Sequence, residues 1–388
     1  MCILKGCTLS VMQATRAIIH LDNLRKNIRR AREKIGSHPK ICVPVKADAY
    51  GHGAVHVSRC ALEAGAEYLA VAFVSEAMEL RAAGIAAPIL ILSQAQPDEL
   101  TQIISNDLSP FVSDADFIEE AGQAAQTAKK KLCLHLKVDT GMRRLGCPPE
   151  EAPSLAAKIT SHKWLHLEGM ATHLSVSDST DPGDVRFTKG QIARFMELAS
   201  ALEKAGLKPA ILHAANSGAL VFHEDSYFDM IRPGIFLYGY SPSLNAPLNK
   251  EGKNDWLSAE PVMELRSLVS LIKKIKKGDA VSYGRTWVAR EDTYIGVIPA
   301  GYADGFPRSL GNDHSVLIRG RAYPLAGRIC MDNSMVNLGP ETEVERWDEA
   351  VIFGPGFLNA ADIAGKLNTI PYEITCGISK RVQRVYVG

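Results

Sequence analysis

The feature that most constrains the fold is an alternation repeated from residue 41 to residue 238. Short apolar, β-branched runs are followed by amphipathic segments that tend to stop at Gly. The runs are Ile41–Lys46, Tyr68–Phe73, Pro88–Leu92, Pro110–Val112, Leu132–Val138, Leu165–His173, Ala210–His213 and Met230–Tyr238. Helical patterns fill the gaps at Ala54–Ala64, Ser75–Ala83, Asp98–Ser105, Asp116–Lys129, Glu150–Thr160, Val185–Ala205 and Ser217–Phe222. Runs this apolar suit strands buried on both faces, which parallel sheets require. Eight such units predict a (β/α)8 TIM-type barrel, with a doubly wound sheet as the other solution.

One further unit precedes the repeat: a strand at Ala17–Leu21 and a helix at Asn23–Ile35, with Leu24, Ile28 and Ile35 on one stripe. The basic residues of that helix (Arg25, Lys26, Arg29, Arg30, Arg32) read as a solvated outer face. Ser241–Asp255 has no periodicity and reads as a linker. Beyond it, strands follow without intervening helices: Val262–Ile275, Tyr294–Ile298, Val316–Ile318, Met335–Leu338 and Ala350–Phe353. Only Ala360–Lys366 looks helical there. The expected organisation is a barrel over residues 14–250 and a mostly-β domain over 251–388, and 388 residues leave room for both.

Composition narrows the class. A net charge of +1 provides no field for nucleic acid or an anionic membrane, and no apolar run approaches the ~18 residues of a membrane span. The eight cysteines include no C-x-x-C pair and are too dilute for a disulfide scaffold. These features point to a reduced, cytoplasmic protein. The first eleven residues lack the h-region of a signal peptide and read as a loose extension or an early start before Met12.

Barrel enzymes work at the C-terminal ends of their strands. Those ends carry Lys46, Lys137 with Asp139, His173, Asn216 with Ser217, and Arg232. Each has a bland reading: a snorkelling lysine, a strand pair, a core histidine, a structural arginine. Lys46 has the most telling surroundings, because ICVPVKADAYGHG delivers one ammonium from an apolar strand into a glycine-flanked turn. A lysine desolvated there has a lowered pKa and can form a Schiff base. A phosphate could be held at the helix start after Asn216-Ser217-Gly218. No P-loop or G-x-G-x-x-G is present, so a nucleotide has little support.

VKADAYGHG resembles the cofactor-lysine motif of the alanine racemases, bacterial enzymes that use pyridoxal 5′-phosphate (PLP). So do LKVDTGMRRLG, THLSVSD, HAANSGAL, IRPGIFLYG, VSYGRTW, GYADGFPR, GRICMD and YEITCGISKRV, in the family's order along almost the whole chain. The resemblance implies a barrel followed by a β domain. It implies that Lys46 holds PLP, that Arg232 faces the pyridine nitrogen, and that Tyr50 and His173 line the ring. Ser217, the backbone at Gly234 and Ile235, and Tyr372 would hold the phosphate. Tyr283 would be the second catalytic base beside Lys46. Arg144 and the Met331 N–H would bind the substrate carboxylate, and Lys137 matches a position that is carbamylated in many members. No metal is implied. Asp48 stands where many members have Asn, adding a carboxylate two residues from Lys46.

The implied reaction is two-base interconversion of L- and D-alanine, supplying D-alanine for peptidoglycan. The implied assembly is a homodimer in which the β domain of one subunit completes its partner's site. A serine or broad-specificity racemase shares the mechanism and stays open. A PLP decarboxylase would need a Gly-Gly-Gly phosphate loop that is missing here, and a non-catalytic PLP carrier would lack the β domain.

Overall fold

The structure is a computed structural model that describes residues 13–242 and 259–388. The expected loose extension at the N-terminus and most of the expected linker lie outside the described residues. The chain divides into two compact units, one spanning residues 21–262 and the other joining residues 263–387 to the first strand.

That first strand, β1 (Arg16–His20), leads into the helix Leu21–Ile35. The barrel strands follow as β2 (Lys40–Pro44), β3 (Tyr68–Val71), β4 (Ile89–Ile91), β5 (Leu108–Val112), β6 (Leu132–Lys137), β7 (Leu165–Ala171), β8 (Ile211–His213) and β9 (Met230–Ile231). They pair in parallel in chain order, and β9 returns to pair with β2 through Lys40↔Met230 and Ile41↔Ile231. The last seam, between β8 and β9, is joined less regularly. Asp229 N–H donates to the Leu212 carbonyl at 3.0 Å and Arg232 N–H to the Ala215 carbonyl at 2.8 Å. The result is the nearly closed (β/α)8 barrel that the alternation predicts. Its interior packs Cys42, Tyr68, Ala70, Leu90, Phe111, Ala171, Ile211 and Met230 together.

One difference from the sequence reading matters here. The expected strand Met230–Tyr238 stops at Ile231, because Pro233 has no N–H for a ladder. Residues 234–239 instead form successive turns, with Leu237, Tyr238 and Gly239 N–H bonding to the Gly234, Ile235 and Phe236 carbonyls. The basic helix face is solvated and ion-paired, as in Arg25–Asp22 (2.9 Å) and Arg32–Glu67 (2.7 Å).

The second unit contains β10 (Met263–Leu268), β11 (Leu271–Ile275), β12 (Ala280–Val281), β13 (Trp287–Val288), β14 (Thr293–Ile298), β15 (Ser315–Ile318), β16 (Arg321–Pro324), β17 (Ser334–Gly339), β18 (Glu349–Phe353) and β19 (Gln383–Val387). Six strands form one sheet in the order β16-β15-β18-β10-β1-β19. Here β1 departs from the expectation that residue 14 opens the barrel domain. It lies between β10, antiparallel, and β19, parallel. Ala17, Ile18 and Ile19 are all buried, so this strand needs neighbours on both edges and cover on both faces. A second helix, Pro371–Cys376, joins the expected one, which spans Ala360–Leu367. Among the described residues no helix is long and apolar enough to cross a membrane.

Candidate active site

Lys46 lies two residues beyond the end of β2, and the chain after it turns the wrong way for L-residues. Ala47, Asp48, Ala49 and Tyr50 have φ of 52°, 53°, 53° and 54°, one turn of left-handed helix. Each such residue costs on the order of 1–2 kcal/mol, so the turn persists only where its surroundings hold it. Three holders are evident. The Glu76 carboxylate accepts the Ala47 N–H (2.7 Å) and the Ala72 N–H (2.7 Å), clamping the turn to the end of β3. Asp48 accepts the Ala54 N–H at 2.8 Å, tying the turn to the start of the next helix. Tyr50 packs on the buried Tyr238 ring (4.8 Å), which also faces His52 (4.7 Å). Asp48, where many members have Asn, therefore does structural work in this chain.

Arg232, just beyond β9, is buried with its guanidinium hydrogen-bonded from behind. Nη2 donates to the Thr172 carbonyl (2.8 Å) and Nη1 to His213 Nδ1 (2.8 Å). His213 Nε2 meets His135 Nδ1 at 2.9 Å, and His135 Nε2 meets a Glu168 carboxylate oxygen at 2.9 Å. An arginine can only donate, so His213 Nδ1 must accept. The proton of His213 is then on Nε2, and that of His135 is on Nε2 facing Glu168. One directed chain thus runs from Arg232 through two neutral imidazoles to a carboxylate.

Burial and then Arg232 hold His213 well below the usual histidine range, and burial lowers His135 too. The Arg232 guanidinium is itself brought down to about 10 by burial, and at that value it keeps its charge at neutral pH. Gly169 is required here, because a Cβ would lie 2.0 Å from His135 Nδ1. The Nε–H of Arg232 makes no hydrogen bond among the described residues and is left for a ligand acceptor.

The other strand-end residues share this electrostatic neighbourhood. His173 is held well below its usual range by burial first, then by Arg232, Lys137, Arg144 and Lys46. Lys137 is buried at the end of β6, and burial and then Arg232 push it well below the usual amine range. Its neighbouring carboxylate is Asp139, whose Oδ1 accepts the Gly141 and Arg143 N–H groups. Arg232, Arg144 and Lys46 grouped near that one carboxylate suit a ligand that brings negative charge.

Asn216 caps the short helix Ser217–Phe222 by accepting the Ala219 N–H (3.0 Å). Ser217 Oγ accepts the N–H groups of Gly234 (2.8 Å) and Phe236 (3.2 Å), which draws the turn after Pro233 against that helix start. The Ile235 N–H between them makes no hydrogen bond among the described residues. A Cβ at Gly234 would lie 2.7 Å from the Tyr50 hydroxyl, so any larger residue there would displace the Tyr50 ring.

In the second unit, Tyr283 occupies the connection between β12 and β13, and its side chain is exposed. The Met331 carbonyl accepts the Ala303 N–H (3.0 Å), while the Met331 N–H makes no hydrogen bond among the described residues. Tyr372 lies on the helix Pro371–Cys376.

The comparisons agree along nearly the whole chain. The family model for the alanine racemase N-terminal domain matches residues 19–242, and that for the C-terminal domain matches residues 262–386. The chain belongs to the alanine racemase family. An alanine racemase of Treponema denticola is 47% identical over 382 residues, covering 97% of this chain and 99% of that protein. One from Treponema pallidum is 42% identical over 384 residues, covering 97% and 100%. The structure of an alanine racemase from Clostridium difficile 630 superposes with a TM-score of 0.91 at 36% identity, covering 97% of each chain. That of an enzyme from a D-cycloserine-producing Streptomyces lavendulae gives 0.89 at 35%, covering 98% of each. The family's members are PLP-dependent, and this chain is an isomerase, an amino-acid racemase of that family.

Sequence reasoning missed His135, Glu168 and His213. They lie on three different strands and show no common spacing. Glu76 and Tyr238 were also passed over. Only VKADAYGHG itself hinted that its unusual turn needed support.

Proposed function

We propose that the protein interconverts L-alanine and D-alanine with PLP held on Lys46 at the barrel mouth, and with Lys46 and Tyr283 as bases on opposite faces of Cα. The observation that carries this reading is the cluster of Lys46, Lys137, Arg144, His173 and Arg232, with the Arg232 Nε–H left over for a ring nitrogen. PLP, when bound, supplies the electron sink that makes the α-proton removable. The residues fit that group. Arg232 is donor-only and charged, so it would hydrogen-bond the pyridine nitrogen without giving up a proton, which would disfavour side reactions. Ser217 and the backbone at Gly234 and Ile235, with Tyr372, would hold the phosphate. Tyr50 and His173 would line the ring.

Lys46 takes or returns the proton on the face used by D-alanine, and Tyr283 does so on the face used by L-alanine. Arg144 and the Met331 N–H orient the substrate carboxylate. A carbamate on Lys137 would give Arg144 an anionic partner, and an uncharged buried amine is the form that reacts with carbon dioxide. We assign the working form as a cytoplasmic homodimer in which each β domain completes its partner's barrel site, serving peptidoglycan synthesis.

The test is to incubate the PLP-loaded protein with each L-amino acid and resolve the enantiomers, then to follow Cα-proton exchange in heavy water for Tyr283→Phe. Racemisation of alanine should fall by about 10²–10⁴-fold, with L-alanine exchange suffering more than D-alanine exchange. Near-normal racemisation, or equal exchange of both enantiomers, refutes the two-base assignment. Serine turnover equal to that of alanine refutes the specificity.

A further inference from the structure

Tyr283 sits near the start of the connection that joins β12 to β13, and the residue before it has an unusual backbone. Ser282 has φ 66° and ψ −179°. Glycine occupies that region and other residues almost never do, because a Cβ crowds the backbone there. A connection that only had to close a hairpin would carry Gly at this position and no strain. The serine is held by its own hydroxyl. Oγ donates to the Arg328 carbonyl at 2.5 Å and lies 3.6 Å from Cys330 Sγ.

The segment it grips leads directly to Met331. Both carbonyls there are already fixed, Cys330 by the Tyr302 N–H (3.0 Å) and Met331 by the Ala303 N–H (3.0 Å). Asn312 makes a second tie between the same two stretches. Its Nδ2 donates to Thr286 Oγ1 (3.2 Å) and its Oδ1 accepts the Gly327 N–H (2.6 Å).

We propose that Ser282 is a positioning residue, whose hydroxyl imposes a strained backbone so that the Tyr283 phenol is fixed relative to the Met331 amide. The proposal rests on the two-base reading above. A phenol that must meet one face of Cα needs a set position relative to the group holding the carboxylate. Misplacement of about 1 Å can cost on the order of 10²-fold in rate. Strain stored beside a reacting group is tolerated where it serves that placement.

The experiment compares Ser282→Gly, Ser282→Ala and Tyr283→Phe as PLP-loaded proteins. It measures the thermal midpoint, kcat, and exchange of L- and D-alanine in heavy water. Ser282→Gly removes both the strain and the tether. Its midpoint should be unchanged or higher, its kcat about 10- to 100-fold lower, and its L-alanine exchange depressed more than its D-alanine exchange. Ser282→Ala keeps the strain without the tether, so its midpoint should fall along with the same exchange asymmetry. If Ser282→Ala fails to fold, Ser282→Gly decides alone.

Wild-type kcat in Ser282→Gly, or a loss that affects both enantiomers' exchange equally, overturns the proposal. Asymmetric exchange in Tyr283→Phe without it in Ser282→Gly overturns this proposal alone. Normal racemisation by Tyr283→Phe overturns the two-base reading and this inference with it.

Discussion

Replacing His213 tests the Arg232 relay through a quantity that does not depend on catalysis. In the folded chain His213 is neutral and held well below the usual histidine range by burial and then Arg232. In the unfolded chain it titrates near about 6.5. Below that pH the unfolded state binds a proton that the folded state refuses, so acid favours unfolding. The contribution is fully present above about pH 6.5 and is lost as pH falls towards the depressed folded value, at about 1.4 kcal/mol per pH unit per proton.

His213→Asn keeps an acceptor near Nδ1 for Arg232 but removes the donor to His135. It should cost about 1–3 kcal/mol for the one orphaned group at pH 7.5. It should also flatten the pH dependence below about 6.5 by one proton, about 1.4 kcal/mol per unit. His213→Leu flattens it equally, but strands the Arg232 Nη1 donor as well, so its cost at pH 7.5 should reach about 2–6 kcal/mol. Urea unfolding of the apoprotein between pH 5 and 7.5, followed by circular dichroism, measures both. An unchanged slope in His213→Asn refutes the neutral, buried imidazole. Equal costs for Asn and Leu refute the claim that the Nδ1 bond holds Arg232.

Other outcomes follow from the same geometry. Gly169→Ala places a Cβ 2.0 Å from His135 Nδ1 and should destabilise the barrel by about 1–3 kcal/mol, read from urea midpoints. Stability equal to wild type would mean that His135 has room to move. A carbamate on Lys137 should appear as a mass increase of one carbon dioxide on native ionisation, absent from Lys137→Met. Identical masses for the two proteins after correcting for the substitution would remove the carbamate. Subunit exchange between inactive Lys46→Ala and Tyr283→Phe proteins should restore activity. Confirmed heterodimers that stay inactive would show that each chain builds its own site.

The sequence determined the barrel because its evidence is local. Each strand run is apolar enough to need burial on both faces, and each helix carries its own stripe and stop signal, so eight units could be read one at a time. Lys46, Lys137, His173, Ser217 and Arg232 were legible for the same reason: a barrel sends every strand exit to one rim, so position along the chain stands in for position in space. Tertiary structure alone decided the rest. β1 reads as the start of a barrel unit yet pairs with β10 and β19, strands more than two hundred residues away, because strand pairing leaves no mark within the strand. The left-handed turn after Lys46 is held by Glu76, the Ala54 N–H and Tyr238, which reach it from separate elements. The relay from Arg232 to Glu168 likewise joins residues on three barrel strands and the end of a fourth. Hydrogen-bond partners across a barrel are set by its closure, and no spacing in the chain encodes that.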